Sequence, residues 1–384
     1  AIDRKTWIRA AELGMNPAVA ILLQARFSAQ NNRTTRASVA AIERYTGISR
    51  GRAREAIGCL EKAKLISTAG PHTRPIYTIV ADSCPVLSEP EKAVLAKVRK
   101  GEALAKGDLG TARSLTTRGV LRPDGSEFAV ARLDDWIWLP NTLVTGAASE
   151  KPPLELLRQT RDVMCLRLLV DLYYLQNLRD DGGVSRQVVR LEYDRHRVGQ
   201  RGQYVVWGFT ERSEVASLNG VLKYHARKPT EAEQEEGWGT GIDLFRRLEL
   251  IRRLGLLEYV PYVYEGDDVD AEPLFPVGGR AEHGELEHAL GQAAHRAGLA
   301  LLTEPQQDGA EYRGLVLVPL PAHLVNAQLV GVVRLRYRPH TRRTRAWYAR
   351  LHEQAAKWLN TLRKLAGEDP PDPDHATSRS TQGT

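Results

Sequence analysis

Thr46-Gly47-Ile48-Ser49-Arg50-Gly51-Arg52-Ala53-Arg54-Glu55-Ala56-Ile57 places a glycine corner between two helical patterns. A glycine at 47 can take the backbone conformation that a tight corner between two helices needs, and Ile48 offers one apolar side chain to bury inside that corner. Ser49 predicts the N-cap of a helix over 50–64, with Ala53, Ala56, Ile57 and Leu60 as its inner stripe. Arg50, Arg52, Arg54 and Glu55 fall on the outer face, and the small Ala53 and Ala56 let a second helix cross closely.

Upstream, Val19, Leu22, Leu23 and Phe27 recur at helical spacing, with Pro17 where a first turn tolerates it. A polar stretch over 28–36 follows. Ser38 then predicts the N-cap of a helix bearing Val39, Ile42 and Tyr45 on one face, which Gly47 ends. Downstream, strands are expected over 67–69 and 76–80, joined by a Gly/Pro-rich turn at 70–75.

Three helices followed by a hairpin over residues 16–80 resemble the winged helix-turn-helix superfamily. Residues 46–57 are similar to the turn and recognition helix of MarR- and GntR-type regulators. The resemblance implies that Ser49 and Arg50 hold phosphate at a helix N-terminus, with Ser38 joining the DNA-binding set from the preceding cap. It implies further that Arg52, Arg54 and Glu55 face the major groove, where arginine pairs with guanine and glutamate accepts from cytosine. His72, Thr73 and Arg74 would meet backbone or minor groove from the wing tip. The other reading of the same residues is a winged helix used for protein contact, its arginines merely solvated.

Charge supports an interaction with phosphate. The chain is +7 overall, but residues 1–80 hold thirteen Lys/Arg against five Asp/Glu, and residues 334–364 hold ten against Glu353 alone. Two basic ends flank a mildly acidic centre, and local field matters more to phosphate binding than net charge. The 42% hydrophobic and 26% charged composition excludes wholesale disorder. No apolar run reaches the roughly 20 residues of a membrane span, and no signal-like apolar segment follows the first residues. A cytoplasmic, nucleoid-associated protein is expected, without membrane contact. Cys59, Cys84 and Cys165 are odd in number and in no CxxC spacing, so three reduced thiols are expected.

The remainder is less regular. A helix is expected over 90–100 within a partly structured connector, a strand over 129–139, and a boundary within 126–150. Residues 154–175 read as one apolar helix, with Ser185 capping another over 186–197, a spacing close to that of the first module. A strand over 203–210 lies in an insertion at 198–239. Next come a helix starting at 240–241, with Arg246, Arg247, Arg252 and Arg253 outward, and a wing hairpin over 256–265 and 272–277 with an acidic tip. These predict a second winged helix. Beyond it are a helix over 283–297, strands over 314–319 and 328–337, and a final helix over 344–365. The basic residues Arg338, Arg342, Arg343 and Arg345, with Arg246, Arg247 and Arg253, form a candidate second DNA contact.

The expected class is therefore α+β and helix-rich. Its divisions are a winged-helix DNA-binding domain at 1–81, a connector at 82–150, a second winged-helix domain at 151–280, a C-terminal α/β extension at 281–366 and a disordered tail at 367–384. Catalytic motifs are set aside. The glycine-rich 237–241 segment lacks the Gly-Lys-Ser/Thr of a nucleotide loop. His283, His288 and His295 with Glu285 lack metal-ligand spacing, and 267–272 lacks a calcium loop's glycine and terminal glutamate. His340, Arg343 and Tyr348 superficially resemble the C-terminal motif of tyrosine recombinases, but the tyrosine follows too soon. No enzyme, cofactor, small-molecule substrate or metal is expected; double-stranded DNA and a second copy of the chain are the expected partners. Three functions remain open: a prokaryotic or mobile-element transcriptional regulator, a plasmid or phage replication initiator with tandem winged helices, and an assembly adaptor.

Overall fold

The computed structural model describes all residues except 72–73, 82–87, 101, 118–120, 125–126, 131–134, 148–149, 179–180, 238, 269–270, 279–284, 338–341 and 369–384. At 99–100, 122–124, 127, 129–130, 342–348 and 351–352 it describes backbone alone. The chain is α+β and divides into two compact units, Ala1–Val170 and Asp171–Thr384.

The first unit runs β1 (Ile2–Asp3), α1 (Arg4–Glu12), α2 (Met15–Arg26), β2 (Thr34–Thr35), α3 (Val39–Thr46), α4 (Arg50–Lys62), β3 (Ile66–Ala69), β4 (Ile76–Ile79), α5 (Glu89–Lys100), α6 (Asp108–Thr117), β5 (Leu121–Asp124), β6 (Glu127–Val130), β7 (Trp136–Ile137), α7 (Thr142–Thr145) and α8 (Pro153–Gln159), and the division between the units falls within α9 (Val163–Tyr174). Helix α2 is the centre of the first unit. Every residue from Pro17 to Ala25 is buried, because α1, α3, α4, α7 and α8 all pack around it. Strands β2, β4 and β3 form a small antiparallel sheet in that order.

Three elements here depart from expectation. Helix α1 was not anticipated; Asp3 caps it by accepting from the Thr6 amide at 2.9 Å, and Trp7, Ala10 and Ala11 form its buried face. The apolar run over 154–175 is two helices, not one. Arg161 breaks it at φ 61°, and Asp162 Oδ1 accepts from the Met164 and Cys165 amides to start α9. The connector also holds a defined module: α5, α6 and the β5–β6 hairpin enclose their own core of Val94, Leu95, Ala112, Leu115 and Leu121. Residues expected to lie at or beyond a boundary return to the N-terminal elements, since β7 pairs with β1 and α8 packs on α2 and α3.

The second unit runs β8 (Gln176–Asn177), β9 (Gly183–Val184), β10 (Val189–Arg201), β11 (Tyr204–Ala216), a 3-10 turn (Leu222–His225), α10 (Glu231–Glu235), α11 (Ile242–Arg253), β12 (Leu257–Tyr264), β13 (Pro273–Pro276), α12 (Glu285–Leu301), α13 (Glu304–Tyr312), β14 (Val316–Pro321), β15 (Gln328–Leu335) and α14 (Arg342–Leu365). Six of these strands make one antiparallel sheet in the order β13-β12-β15-β10-β11-β14. Helices α12 and α14 contribute to its principal core with Phe209, Val263, Phe275, Leu290 and Val318. Gly298 lets α12 approach closely, since a Cβ there would stand 2.8 Å from that of Leu317.

This sheet corrects the expected organisation. Residues 186–197 were expected as a helix capped by Ser185, but Val189–Arg201 is a strand, zipped to β11 and bonded on its other edge to β15. The expected wing hairpin is β12–β13, and β12 pairs on its other edge with β15, so the sheet crosses the expected boundary at 280. The 151–280 segment is thus no separate winged helix. Arg334, on the strand expected over 328–337, is buried: its Nη1 meets Glu287 Oε1 at 2.7 Å and its Nη2 donates to the Tyr262 hydroxyl. Among the described residues no helix is long and apolar enough to cross a membrane.

Candidate nucleic-acid interface

The corner between α3 and α4 is built as the local sequence demands. Ser38 Oγ accepts from the Ala41 amide at 3.3 Å to open α3, and Gly47, at φ 65°, closes it by donating to the Glu43 carbonyl. Ile48 is buried in the turn. Ser49 occupies the N-cap of α4 but makes no side-chain capping bond, which leaves its hydroxyl exposed at the helix start. The far end of α4 is finished from outside: Arg9 Nη2 donates to the Ala63 carbonyl at 2.7 Å.

Helix α4 buries Ala53, Ala56, Ile57 and Leu60. At about 100° per residue, the line opposite this stripe carries Gly51, Glu55, Gly58 and Lys62, with Arg54 on one shoulder and Arg52 on the other. Arg50, Arg52, Arg54 and Glu55 are all exposed. Arg50 is tied to Glu43 at 2.7 Å, whereas Arg52 and Arg54 make no ion pair among the described residues. A Cβ at Gly51 or Gly58 would meet nothing within 4 Å, so this crown is open. Arg74 is exposed on the β3–β4 connection, its amide bonded to the Pro71 carbonyl; His72 and Thr73 lie outside the described residues.

Beside the Ser38 cap, a shallow groove of about 520 Å³ is lined by Phe27, Arg36, Ala40, Arg44 and Tyr45. The Phe27 and Tyr45 rings stand 5.3 Å apart, and the Arg44 guanidinium lies over Tyr45. Arg36 and Arg44 were not among the expected contacts; Arg36, two residues before the Ser38 cap, was within reach of a local reading, whereas Arg44 sits in the last turn of α3 and joins the groove through Tyr45.

The other arginines singled out from sequence have a different setting. On α11, Arg246 pairs with Glu233 at 3.4 Å and Arg253 with Glu249 at 2.8 Å, while Arg247 is half-buried. Arg227 reaches the same Glu233 through two 2.7 Å bonds and holds its carboxyl down at about 2. This face is an ion-pair network whose positive charge is largely spent. Arg338 lies outside the described residues, and of Arg342, Arg343 and Arg345 only the backbone, in the first turn of α14, is described. His288 bonds Gln292 on α12, and among the described residues no three metal-ligating side chains converge. Cys59 and Cys165 are free thiols, one exposed and one buried.

Searched against protein-family models, curated proteins and solved structures, the chain matches none.

Proposed function

We propose that residues 1–81 are a winged helix-turn-helix that binds double-stranded DNA, with α4 in the major groove and the β3–β4 hairpin against the neighbouring backbone. What carries the reading is the state of two guanidinium groups: Arg52 and Arg54 are exposed, unpaired among the described residues, and straddle an open crown. An arginine already bonded to a carboxylate must give that partner up to reach phosphate or base; these two need not. The order of helix, strand, two helices and hairpin, with the sheet arranged β2-β4-β3, supports the same reading. The protein is then a non-enzymatic, dimeric, sequence-specific regulator acting on intracellular DNA.

The test is a salt-matched gel shift on sites selected from random DNA. Arg52→Ala with Arg54→Ala weakens binding by about 1–3 kcal/mol per lost base contact and leaves thermal unfolding unchanged. Unaltered affinity in the doubly substituted protein removes α4 from the interface.

A further inference from the structure

Between Glu89 and Val130 the sequence carries eight Lys/Arg against six Asp/Glu, with Glu89, Glu91, Asp124 and Glu127 at the outer ends and Glu89 paired with Lys92, and the α3–α4 interface uses none of them. The structure folds this segment as helix, turn, helix and hairpin, the order of α3, α4, β3 and β4, around a separate core. In α6, Ala112 and Leu115 point inward. At helical spacing the opposite line is Gly110, Arg113, Ser114 and Thr117. Arg113, Ser114 and Thr117 are exposed there, and Arg113 makes no ion pair among the described residues.

The acidic residue of α6 does not oppose this face. Asp108 is bonded to Lys97 at 2.8 Å and accepts from the Ala105 amide at 3.0 Å, and the Lys97 bond holds its carboxyl below the ordinary range. Its charge is spent within the corner between the helices. Gly110 is the second mark. It has neither a left-handed backbone nor a neighbour within 4 Å of a would-be Cβ, yet glycine inside a helix costs about 0.5–1 kcal/mol relative to alanine. Gly51 and Gly58 on α4 share this property. Gly110, in the first turn of α6, leaves the side of the helix that carries Arg113 and Ser114 without a side chain of its own.

We infer that α6 is a second duplex-contacting helix, presenting Arg113, Ser114 and Thr117 to DNA from a module distinct from α3–α4. The inference rests on duplex DNA being the partner, but not on α4 being the helix that reads it. The Arg113 guanidinium and the Ser114 hydroxyl make the bonds to phosphate and base edges by which such helices are held, while the Thr117 hydroxyl donates to the Arg113 carbonyl at 3.1 Å and is left to accept from a base amino group.

The experiment uses the full chain and a labelled random-sequence duplex of about 40 base pairs, several helical turns of about 10 base pairs each. Binding is followed by anisotropy across a salt series. Arg113→Glu lowers affinity about tenfold and flattens the salt dependence by about one to two ions, with Arg113→Gln intermediate. A charge-reversed protein with unchanged affinity and salt slope overturns the inference, whatever Arg52 and Arg54 do. The converse result, loss at Arg113 with none in the Arg52→Ala, Arg54→Ala protein, removes the α4 reading and leaves this one standing. Should Arg113→Glu lower the melting temperature, Arg113→Gln combined with Lys106→Gln decides on the same readouts. Dependence on Arg113 with duplex RNA but not with duplex DNA also overturns it.

Discussion

Arg158 Nε donates to the carbonyl of Thr46 at 2.6 Å, joining α8 to the last residue of α3 across 112 positions of chain. The same guanidinium would stand 3.0 Å from a Cβ at Gly47, where the corner turns toward α4. The pitch of the α3–α4 corner is thus fixed partly by a helix far away in sequence. Arg158→Ala destabilises the first unit by about 1–2 kcal/mol, the worth of a bond to a charged donor at a half-buried site. Gly47→Ala costs about 1 kcal/mol or more from its positive φ and the contact with Arg158. In the Arg158→Ala background the contact share disappears, so a double-mutant cycle by chemical denaturation reads a sub-additive sum. Strict additivity would mean that Arg158 does not reach the corner.

Gly58 separates stability from recognition. Its helical backbone and open surroundings admit a methyl group, so Gly58→Ala raises stability by about 0.5–1 kcal/mol in thermal or urea unfolding. The same methyl stands on the crown of α4, and affinity for a selected DNA site falls although the fold has become firmer. A stabilised protein with undiminished affinity would place the crown away from the duplex.

Arg74 is exposed at the hairpin and, unlike Arg50, has no carboxylate partner among the described residues. Arg74→Ala therefore lowers affinity for specific and random duplexes alike, and reduces the slope of log affinity against log salt by about one. If loss is confined to the selected site, with the slope retained, Arg74 reads bases instead of backbone.

The first module was legible because its determinants are local. Ser38, Gly47 and Ile48 act within their own corner, and Ala53, Ala56, Ile57 and Leu60 mark one helix face without outside help. Local cues also lay unread: Asp3 and Asp162 each cap a helix, and the second marks the break in an apolar run that periodicity alone joined into one. Residues 186–197 failed for another reason. Val189 and Leu191 alternate inward as in any strand, but what decides helix or strand there is pairing with β11 and with Val330–Val332 of β15, well over a hundred residues on. Nor does any local cue mark Arg334 as buried, because Glu287 of α12, which meets it, lies 47 residues away.

That buried pair makes an asymmetric prediction. Arg334 and Glu287 are almost wholly out of solvent, and the Glu287 carboxylate faces a guanidinium that also donates to Tyr262. Glu287→Ala takes the hydrogen-bonded carboxylate from a buried cation, leaving its cross-strand neighbour Glu258, and costs about 3–5 kcal/mol, whereas Arg334→Met with Glu287→Leu and Glu258→Gln removes all three charges and costs much less. Equal losses in equilibrium urea unfolding would show that packing volume, not charge, governs the site.

Glu214 gives the second unit a pH dependence of known sign. Burial pushes its carboxyl above the ordinary range, against the opposing pull of a Tyr259 hydrogen bond and of Arg252, with the neighbouring Glu249 and Glu211 adding to the rise. The folded state therefore keeps a proton that the unfolded chain has already released. Its contribution to stability is full below the unfolded value of about 4.3 and is lost as pH rises through the higher folded value. Glu214→Gln removes the ionisation and with it the loss. Melting temperatures of the two proteins lie close at pH 4 and diverge as pH rises, with the glutamine protein the more stable at pH 7. A difference that stays constant from pH 4 to pH 7 would mean that Glu214 titrates alike in the folded and unfolded chain.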